Sequence, residues 1–183
     1  MRIGVSDEIE IRALDRSELA RVGEIDRTER IDVIYRQHGT RLEPIPGEWS
    51  AAPWSEGAGQ HSVGSQYREL MRLAEAGGIA LGAFAGTRLV GIGVVVPHLR
   101  PLIAQLAYLH VSNRDRSAGI GGALSDRLEE IAARAGDTEM VVSATPSVNT
   151  VRFYMNRGFE PMAEPLSELV ELERDDVHLW KQL

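Results

Sequence analysis

The sequence contains no cysteine and a single lysine, Lys181. Without cysteine the chain has no disulfide bond, no cysteine-ligated zinc site and no thiol nucleophile. The scarcity of lysine excludes a Walker A loop, which needs a lysine directly after a glycine to hold nucleotide phosphates. The remaining basic residues are all arginines, a bias that we attribute to genome composition rather than to function.

Long apolar runs are also missing. No stretch of about 18 apolar residues occurs, so no transmembrane helix is predicted. Residues 1–10 carry acidic side chains and lack the apolar core of a signal peptide, which favours a cytoplasmic location. The net charge of −7 argues against general nucleic-acid binding, which needs a basic surface. We therefore expect no membrane and no nucleic acid as partners, although a local anion site is allowed.

The composition is that of one globular domain. The chain has 183 residues, of which 43% are hydrophobic and 26% are charged, so it can form a full core. That length suits a single domain over residues 1–183 and is hardly enough for two.

Periodicity and turn residues divide the chain into elements. Strands are predicted at residues 8–14, 79–85, 88–96, 103–111, 139–144 and 177–182. Helical segments are predicted at 15–25, 30–37, 65–77 and 119–135 and from Thr145 to about 156, with a long loop or partly ordered insertion at 38–64 and a loop at 97–101. This order is typical of an α/β domain with a mixed sheet.

The segment 109–124, LHVSNRDRSAGIGGAL, has the clearest chemical meaning. A strand runs into a turn with two arginines, and the glycines of the turn open an amphipathic helix. Glycine lets the backbone approach a ligand, and the free N–H groups and dipole of a helix N-terminus attract an anion. Arg114 and Arg116 add positive charge beside this turn. The segment therefore predicts a phosphate or pyrophosphate site.

The spacing of the glycines separates the candidate families. A dinucleotide-binding fingerprint needs a third glycine where Leu124 stands. What remains is Arg-x-x-Gly-x-Gly, written here as Arg116-Ser117-Ala118-Gly119-Ile120-Gly121. After a strand that ends Leu109-His110-Val111, it resembles the acyl-CoA-binding motif of the GCN5-related N-acetyltransferase (GNAT) superfamily.

A second segment, residues 149–159, resembles the next motif of that superfamily. The matching residues, in order, are Asn149, Phe153, Tyr154, Gly158 and Phe159. One predicted helix and one predicted strand separate the two motifs, as the family requires. The resemblance covers about residues 79–160 and implies a GNAT-like fold, a twisted mixed sheet with helices on both faces.

The resemblance also implies roles for individual residues. The strand before the pyrophosphate loop would splay from its neighbour and admit the pantetheine arm, and a backbone N–H near Val111 would polarise the thioester carbonyl. Tyr154 would protonate the departing CoA thiolate, since a phenol is mostly protonated at neutral pH. Contacts to acetyl-CoA are expected from the backbone of Leu109 and Val111, from Arg116, from the amides of Ser117, Ala118, Gly119, Ile120, Gly121 and Gly122, and from Asn149.

The general base is less well defined by the sequence. Histone-type members of the family carry a glutamate where this chain has Gln105, which is not a useful proton acceptor. His110 could take a proton from an ammonium group, directly or through water. His178 is a further candidate, and ordered water serves in many family members.

The acceptor pocket is expected between the N-terminal half, residues 30–66, and the C-terminal tail. Its candidate lining residues are Tyr35, Trp49, Trp54 and His61, which could equally anchor a loop to the core. The acidic residues Glu164, Glu168, Glu171, Glu173, Asp175 and Asp176 either attract a cationic amine or form a solvated surface.

These observations predict an acetyl-CoA-dependent N-acetyltransferase that acetylates a primary amine, with a small molecule as acceptor. Direct attack within a ternary complex is the expected mechanism, without a metal ion. Two alternatives stand beside it: a non-catalytic acyl-CoA-binding regulatory module of the same fold, and an unrelated nucleotide-binding α/β domain. Many GNAT proteins are dimers, so a homodimer is compatible with the resemblance.

Overall fold

The computed structural model describes residues 8–57 and 59–183. Residues 1–7, on which the expected lack of a signal peptide depends, lie outside this part of the chain. The strands are β1 (Ile9–Ala13), β2 (Glu29–His38), β3 (Arg41–Ala51), β4 (Ile79–Ala85), β5 (Arg88–Arg100), β6 (Ile103–Val111), β7 (Glu139–Ala144), β8 (Glu160–Pro161) and β9 (Val177–Gln182). The α-helices are α1 (Val63–Glu75), α2 (Ile120–Ala135), α3 (Val148–Met155) and α4 (Ser167–Leu172), and short 3₁₀ helices lie at Leu19–Glu24 and Asn113–Asp115.

Seven strands form one sheet in the order β1-β4-β5-β6-β7-β9-β8. Neighbouring strands are antiparallel except β6 and β7, which are parallel. Helix α2 provides the crossover that a parallel pair requires. The predicted mixed α/β fold with helices on both faces of the sheet is confirmed.

Each face of the sheet has its own apolar core. Helices α2 and α3 cover one face with side chains such as Leu124, Leu128 and Val151. The first 3₁₀ helix and α1 cover the other face with Leu19, Val22, Leu70 and Leu73. Strand β5 is buried on both sides because its neighbouring residues enter opposite cores, as expected from the two-residue repeat of a strand.

The parallel pair β6–β7 separates partway along its length. Their pairing runs from Ile103 opposite Glu139 to Gln105 opposite Val141, whereas β6 continues to Val111. A β-bulge at Ala107 lies in this unpaired part of β6, since Tyr108 opposes Val94 and Leu106 opposes Val95. The bulge and the splay leave main-chain groups of β6 available to a ligand, because strand β7 does not take them up.

Two predicted elements are wrong. The predicted helix at 30–37 is strand β2, and the predicted loop at 38–64 contains β3 and the start of α1. Strands β2 and β3 form a separate two-stranded hairpin that turns at Gly39. Its outer strand tolerates Pro44 and Pro46, which a central strand would not. The alternation of Ile31 and Val33 is the strand signal in this segment.

Two boundaries also differ from the prediction. The predicted loop at 97–101 belongs largely to β5, which continues to Arg100 with an irregular register. Helix α3 begins at Val148 rather than at Thr145, and it is capped by Ser147, whose hydroxyl accepts from the amide of Thr150. Ser, like Thr, can cap a helix, so the residue type did not distinguish the two positions.

We expect Leu124→Ala in α2 to lower the free energy of unfolding by about 2–5 kcal/mol, because it leaves a cavity in a close-packed core. Leu124 is fully buried, whereas Leu172 at the end of α4 is 66% exposed. Leu172→Ala is therefore the matched control and should change the free energy by about 0.5 kcal/mol or less. Urea unfolding measures both, and equal losses would contradict the assignment of α2 to the core.

Candidate functional site

A turn with left-handed backbone leads from β6 into α2. Gly119, the N-cap of α2, has φ of 79°, and Ser117 has φ of 71°. Glycine adopts this conformation at little cost. Since Gly119 has no side chain to cap the helix, the first amides of α2 can bind an external anion. The 16-residue length of α2 gives this end a full helix dipole.

Gly121 lies where the turn contacts α3. A Cβ atom placed on Gly121 would lie 3.4 Å from the ring of Phe153 and 3.6 Å from Val111 Cγ2, which are ordinary contacts. Phe153 in turn packs edge-on against Tyr154, with ring centroids 5.0 Å apart. The residues of the two sequence motifs, far apart in the chain, therefore meet at the open end of the splay between β6 and β7.

Glu29 joins two of the residues that were predicted to bind acyl-CoA. Its carboxylate lies 2.8 Å from Arg116 Nη1 and 3.1 Å from Asn149 Nδ2. Arg116 also donates from Nε to the carbonyl of Val111 at 3.3 Å. The carboxylate of Glu29 thus ties the phosphate-type turn to the start of α3. Sequence reasoning missed Glu29, because its partners Arg116 and Asn149 are distant in the chain and only the fold brings them to it.

Tyr154 lies on α3 and is 4% exposed. Its ring packs edge-on against Phe159, with centroids 5.4 Å apart. Its hydroxyl has no hydrogen-bond partner within residues 8–57 and 59–183, yet it is not sealed from solvent. Burial, followed by the charges of Asp176 and Glu173, raises the pKa of Tyr154 above its usual value. The phenol is therefore protonated at neutral pH and can act as a proton donor.

Asp176 is the most perturbed carboxyl group near the site. It lies just before β9, and burial together with the neighbouring Glu173 and Asp175 raises its pKa to about 7. In the sequence it was one member of an acidic run that could equally have been a solvated surface. The doublet Asp175-Asp176 before a buried strand was the available signal, but only the fold shows that Asp176 influences Tyr154.

His110 and Tyr108 lie on the α1 side of β6, and Leu109 and Val111 lie on the α2 side. The imidazole of His110 packs against Tyr108 and Trp54, with centroid distances of 4.8 and 5.6 Å. Burial, then the charges of Arg27 and Arg116, lower the pKa of His110 to about 4. At neutral pH His110 is therefore an uncharged imidazole.

The predicted acceptor-lining residues are not all brought together. Trp54 packs against His110, whereas Trp49 is 43% exposed on β3 and Tyr35 packs against the core on the α2 side. Burial, then the charge of Arg27, lowers the pKa of His61, and the influence of Arg27 indicates that His61 lies near this same region. The ring nitrogen Nδ1 of His178 lies 3.0 Å from Ser143 Oγ within β9 and β7.

Two further classes of site are not seen within residues 8–57 and 59–183. That part of the chain contains no cluster of three or more metal-ligating side chains. None of its helices is both long enough and apolar enough to cross a membrane.

Residues 59–169, more than half of the chain, match the family model described as an acetyltransferase (GNAT) domain. Nourseothricin acetyltransferase has a similar structure, with a TM-score of 0.71 at 14% identity over 95% of this chain and 98% of that one. A candidate streptothricin acetyltransferase from Bacillus anthracis, solved with acetyl coenzyme A, gives 0.65 at 16% identity over 97% and 98%. The PaiA N-acetyltransferase from Thermoplasma acidophilum, solved with coenzyme A, gives 0.62 at 19% over 96% and 99%. No curated protein matches the sequence.

We expect Asp176→Asn to become stabilising relative to the wild type as the pH rises from about 4 to about 7. The pKa of Asp176 is raised from 3.8 to about 7 in the folded protein, so its contribution to stability is present below the unfolded pKa and is lost as pH rises through the folded pKa. Asparagine does not titrate and avoids this loss. Thermal melting across this pH range measures the difference.

Glu171→Gln on the exposed face of α4 is the charge-matched control for that experiment. Because its side chain is exposed, this substitution should change the melting temperature only slightly. A constant difference for Asp176→Asn would mean that the carboxyl titrates alike in the folded and unfolded chains.

Proposed function

The chain belongs to the GNAT acetyltransferase family, since the family model covers residues 59–169, and we propose that it transfers the acetyl group of acetyl-CoA to a primary amine of a small molecule. One observation supports this proposal most strongly. The ladder between β6 and β7 ends at Gln105 and Val141, and the start of α2 that follows β6 has no side-chain cap, so its amides can bind an anion. The protonated Tyr154 packs against Phe153, which neighbours Gly121 in this helix start. This arrangement suits a long thioester cofactor with a pyrophosphate at one end and a leaving thiol at the other.

The donor site is proposed around the turn before α2. The amides of residues 117–122 bind the pyrophosphate of acetyl-CoA, with Arg116 beside them. The pantetheine arm enters the splay, where the main chain of Leu109 and Val111 and the side chain of Asn149 supply hydrogen bonds. The existing contact of Glu29 with both Arg116 and Asn149 supports this assignment, because it orients their donor groups before the cofactor binds.

Acetyl transfer proceeds by direct attack in a ternary complex. The amine nitrogen attacks the thioester carbonyl carbon, and a main-chain N–H near Val111 stabilises the oxyanion that forms. The C–S bond then breaks, and Tyr154 donates its proton to the thiolate. The raised pKa of Tyr154 keeps the phenol protonated at neutral pH, so the proton is present when the thiolate leaves.

The amine must lose a proton before or during its attack. His110 is uncharged at neutral pH, and it directly precedes Val111 in β6. With a pKa of about 4, it is too weak a base for a free ammonium group. It can accept the proton once attack on the carbonyl has made the amine nitrogen acidic, and it then passes that proton to water. We therefore assign His110 the role of a relay between the amine and solvent.

A small acceptor is favoured over a nucleic-acid-linked one by the net charge of −7. The described residues place Trp54, His110 and Tyr108 in one aromatic cluster on the α1 side of β6. The donor turn lies on the α2 side. The acceptor would therefore approach the thioester from the face opposite the donor.

Gly121→Glu should abolish acetyl-CoA binding, whereas Gly121→Ala should retain it. The alanine Cβ meets only ordinary contacts, so that variant is expected to fold. The glutamate adds a negative charge to an anion site. Calorimetric titration with acetyl-CoA measures both, with thermal melting as a check on folding. Equal binding by the two folded variants would refute the donor site.

Tyr154→Phe should lower kcat by about 10²-fold while the KM for acetyl-CoA stays nearly constant, because general acid catalysis acts only in the transition state. Tyr67→Phe on α1, a partly buried tyrosine outside the proposed site, is the control. Release of free CoA thiol, followed at a saturating amine concentration, reports the rate. An unchanged kcat for Tyr154→Phe would remove the tyrosine from the mechanism.

A further inference from the structure

Arg27 is a partly buried cation without an anionic partner. It follows the first 3₁₀ helix and precedes β2. Within residues 8–57 and 59–183 it makes no salt bridge and no side-chain hydrogen bond. Burial is the leading influence on its pKa, which is lowered, and no carboxylate offsets that burial.

The other partly buried arginines of the described chain are all paired. Each has a carboxylate within salt-bridge distance, in the pairs Arg12–Glu18, Arg21–Glu24, Arg116–Glu29 and Arg157–Asp126. A desolvated guanidinium is costly unless an anion compensates it. The exception at Arg27 therefore points to an anion that the protein itself does not supply.

Aromatic contact accounts for only part of this compensation. The guanidinium carbon of Arg27 lies 4.6 Å from the centroid of the Trp54 ring, a cation–π contact. Such a contact uses the face of the guanidinium and leaves the N–H groups at its edge without acceptors. These nitrogens are not sealed from solvent, so a ligand can reach them.

A second donor beside Arg27 is also without an acceptor. The indole Nε1 of Trp54 is buried and has no hydrogen-bond partner within the described residues. The neighbouring Tyr108 hydroxyl is already committed, since it donates to Gln66 Oε1 at 2.7 Å. Two N–H donors therefore remain unmatched in one place.

This place lies next to the proposed site of acetyl transfer. Trp54 packs edge-on against His110, and the positive charge of Arg27 interacts electrostatically with both His110 and Tyr108. His110 and Tyr108 face the α1 side of β6, whereas the phosphate-type turn opens into α2 on the other side. An anion at Arg27 would thus belong to the acceptor rather than to the pyrophosphate of the donor.

We propose that Arg27 binds a carboxylate group of the acceptor, so that the substrate is an amino acid or a similar amine that also carries a carboxylate. This inference rests on the proposed acetyl transfer to an amine. A planar guanidinium matches a planar carboxylate through paired N–H donors. A phosphate dianion usually has several main-chain amides as well, whereas Arg27 offers only side-chain donors.

The test compares matched acceptors with matched variants. Common L-amino acids and their carboxamides, which have nearly the same shape but lack the negative charge, are assayed by CoA release with the wild type, Arg27→Gln and Arg127→Gln. Each pair is compared at a pH at which both α-amines are protonated to the same extent. Arg127 is an exposed arginine on α2 and serves as the charge-matched control. An amine bearing a phosphomonoester tests the alternative anion. Calorimetric titration measures the affinity of each protein for acetyl-CoA separately from its turnover.

The wild type and Arg127→Gln should prefer the best amino acid over its carboxamide in kcat/KM. Arg27→Gln should lose about 10- to 100-fold of kcat/KM for the acid and little for the carboxamide, the range expected for one charged hydrogen-bonded contact. Acetyl-CoA affinity should be the same in all three proteins.

Several results would overturn this proposal while leaving acetyl transfer intact. These are equal wild-type turnover of acids and carboxamides, an equal loss of both in Arg27→Gln, a preference for the phosphomonoester, or weaker acetyl-CoA binding by Arg27→Gln. Binding of acetyl-CoA without turnover of any amine would instead refute the proposed function, and the carboxylate assignment with it.

Discussion

The separation of β6 from β7 is the constraint on which the rest of the site depends. In an ordinary parallel ladder the main-chain groups of both strands pair with each other along their length. Here the ladder ends at Gln105 and Val141, and β6 continues alone through the bulge at Ala107. Buried main-chain groups need partners, so a gap of this kind is stable only if water or a ligand fills it. A thioester cofactor with amide groups along its arm is such a ligand.

The two faces of the sheet divide the proposed chemistry. On one face, α2 packs through Leu124 and Leu128 and thereby fixes the turn that would hold the donor. On the other face, α1 and the first 3₁₀ helix surround Tyr108, and His110 projects beside them. Strand β6 separates these two regions, because its successive side chains point to opposite faces of the sheet. A donor and an acceptor can therefore meet at its edge without sharing a pocket.

The short segment before and at the start of β2 contributes two charges of opposite sign with different surroundings. The carboxylate of Glu29 accepts hydrogen bonds from Arg116 and Asn149, so its negative charge is compensated within the protein. Arg27, two residues earlier, has an aromatic contact but no carboxylate. Paired charges stabilise a preformed site, whereas an unpaired and partly buried charge reduces stability unless a ligand binds. The contrast between these neighbours separates a positioning role from a recognition role.

Much of the donor half could be predicted from the sequence. The strand at 103–111, the helix from about 120 to 135 and the strands at 139–144 and 177–182 were found because their apolar periodicity is strong and local. The Gly-x-Gly turn and the Asn149–Phe159 pattern were recognisable for the same reason, since each is a contiguous segment whose spacing reflects one turn or one helix. The hairpin β2–β3 was missed, because Pro44 and Pro46 are excluded from central strands but not from a two-stranded ribbon.

The acceptor half was decided only by the tertiary structure. Arg27, Trp54 and His110 come from three distant segments, and nothing in any one segment indicates that the others lie nearby. The same holds for Glu29 with Arg116 and Asn149, and for Asp176 with Tyr154. Whether a charge is paired, and how far burial shifts its pKa, depends on neighbours brought by the fold. The sequence by itself therefore determined the family and the cofactor-type turn, which depend on local spacing, while the tertiary structure alone decided which charges meet and which remain without a partner.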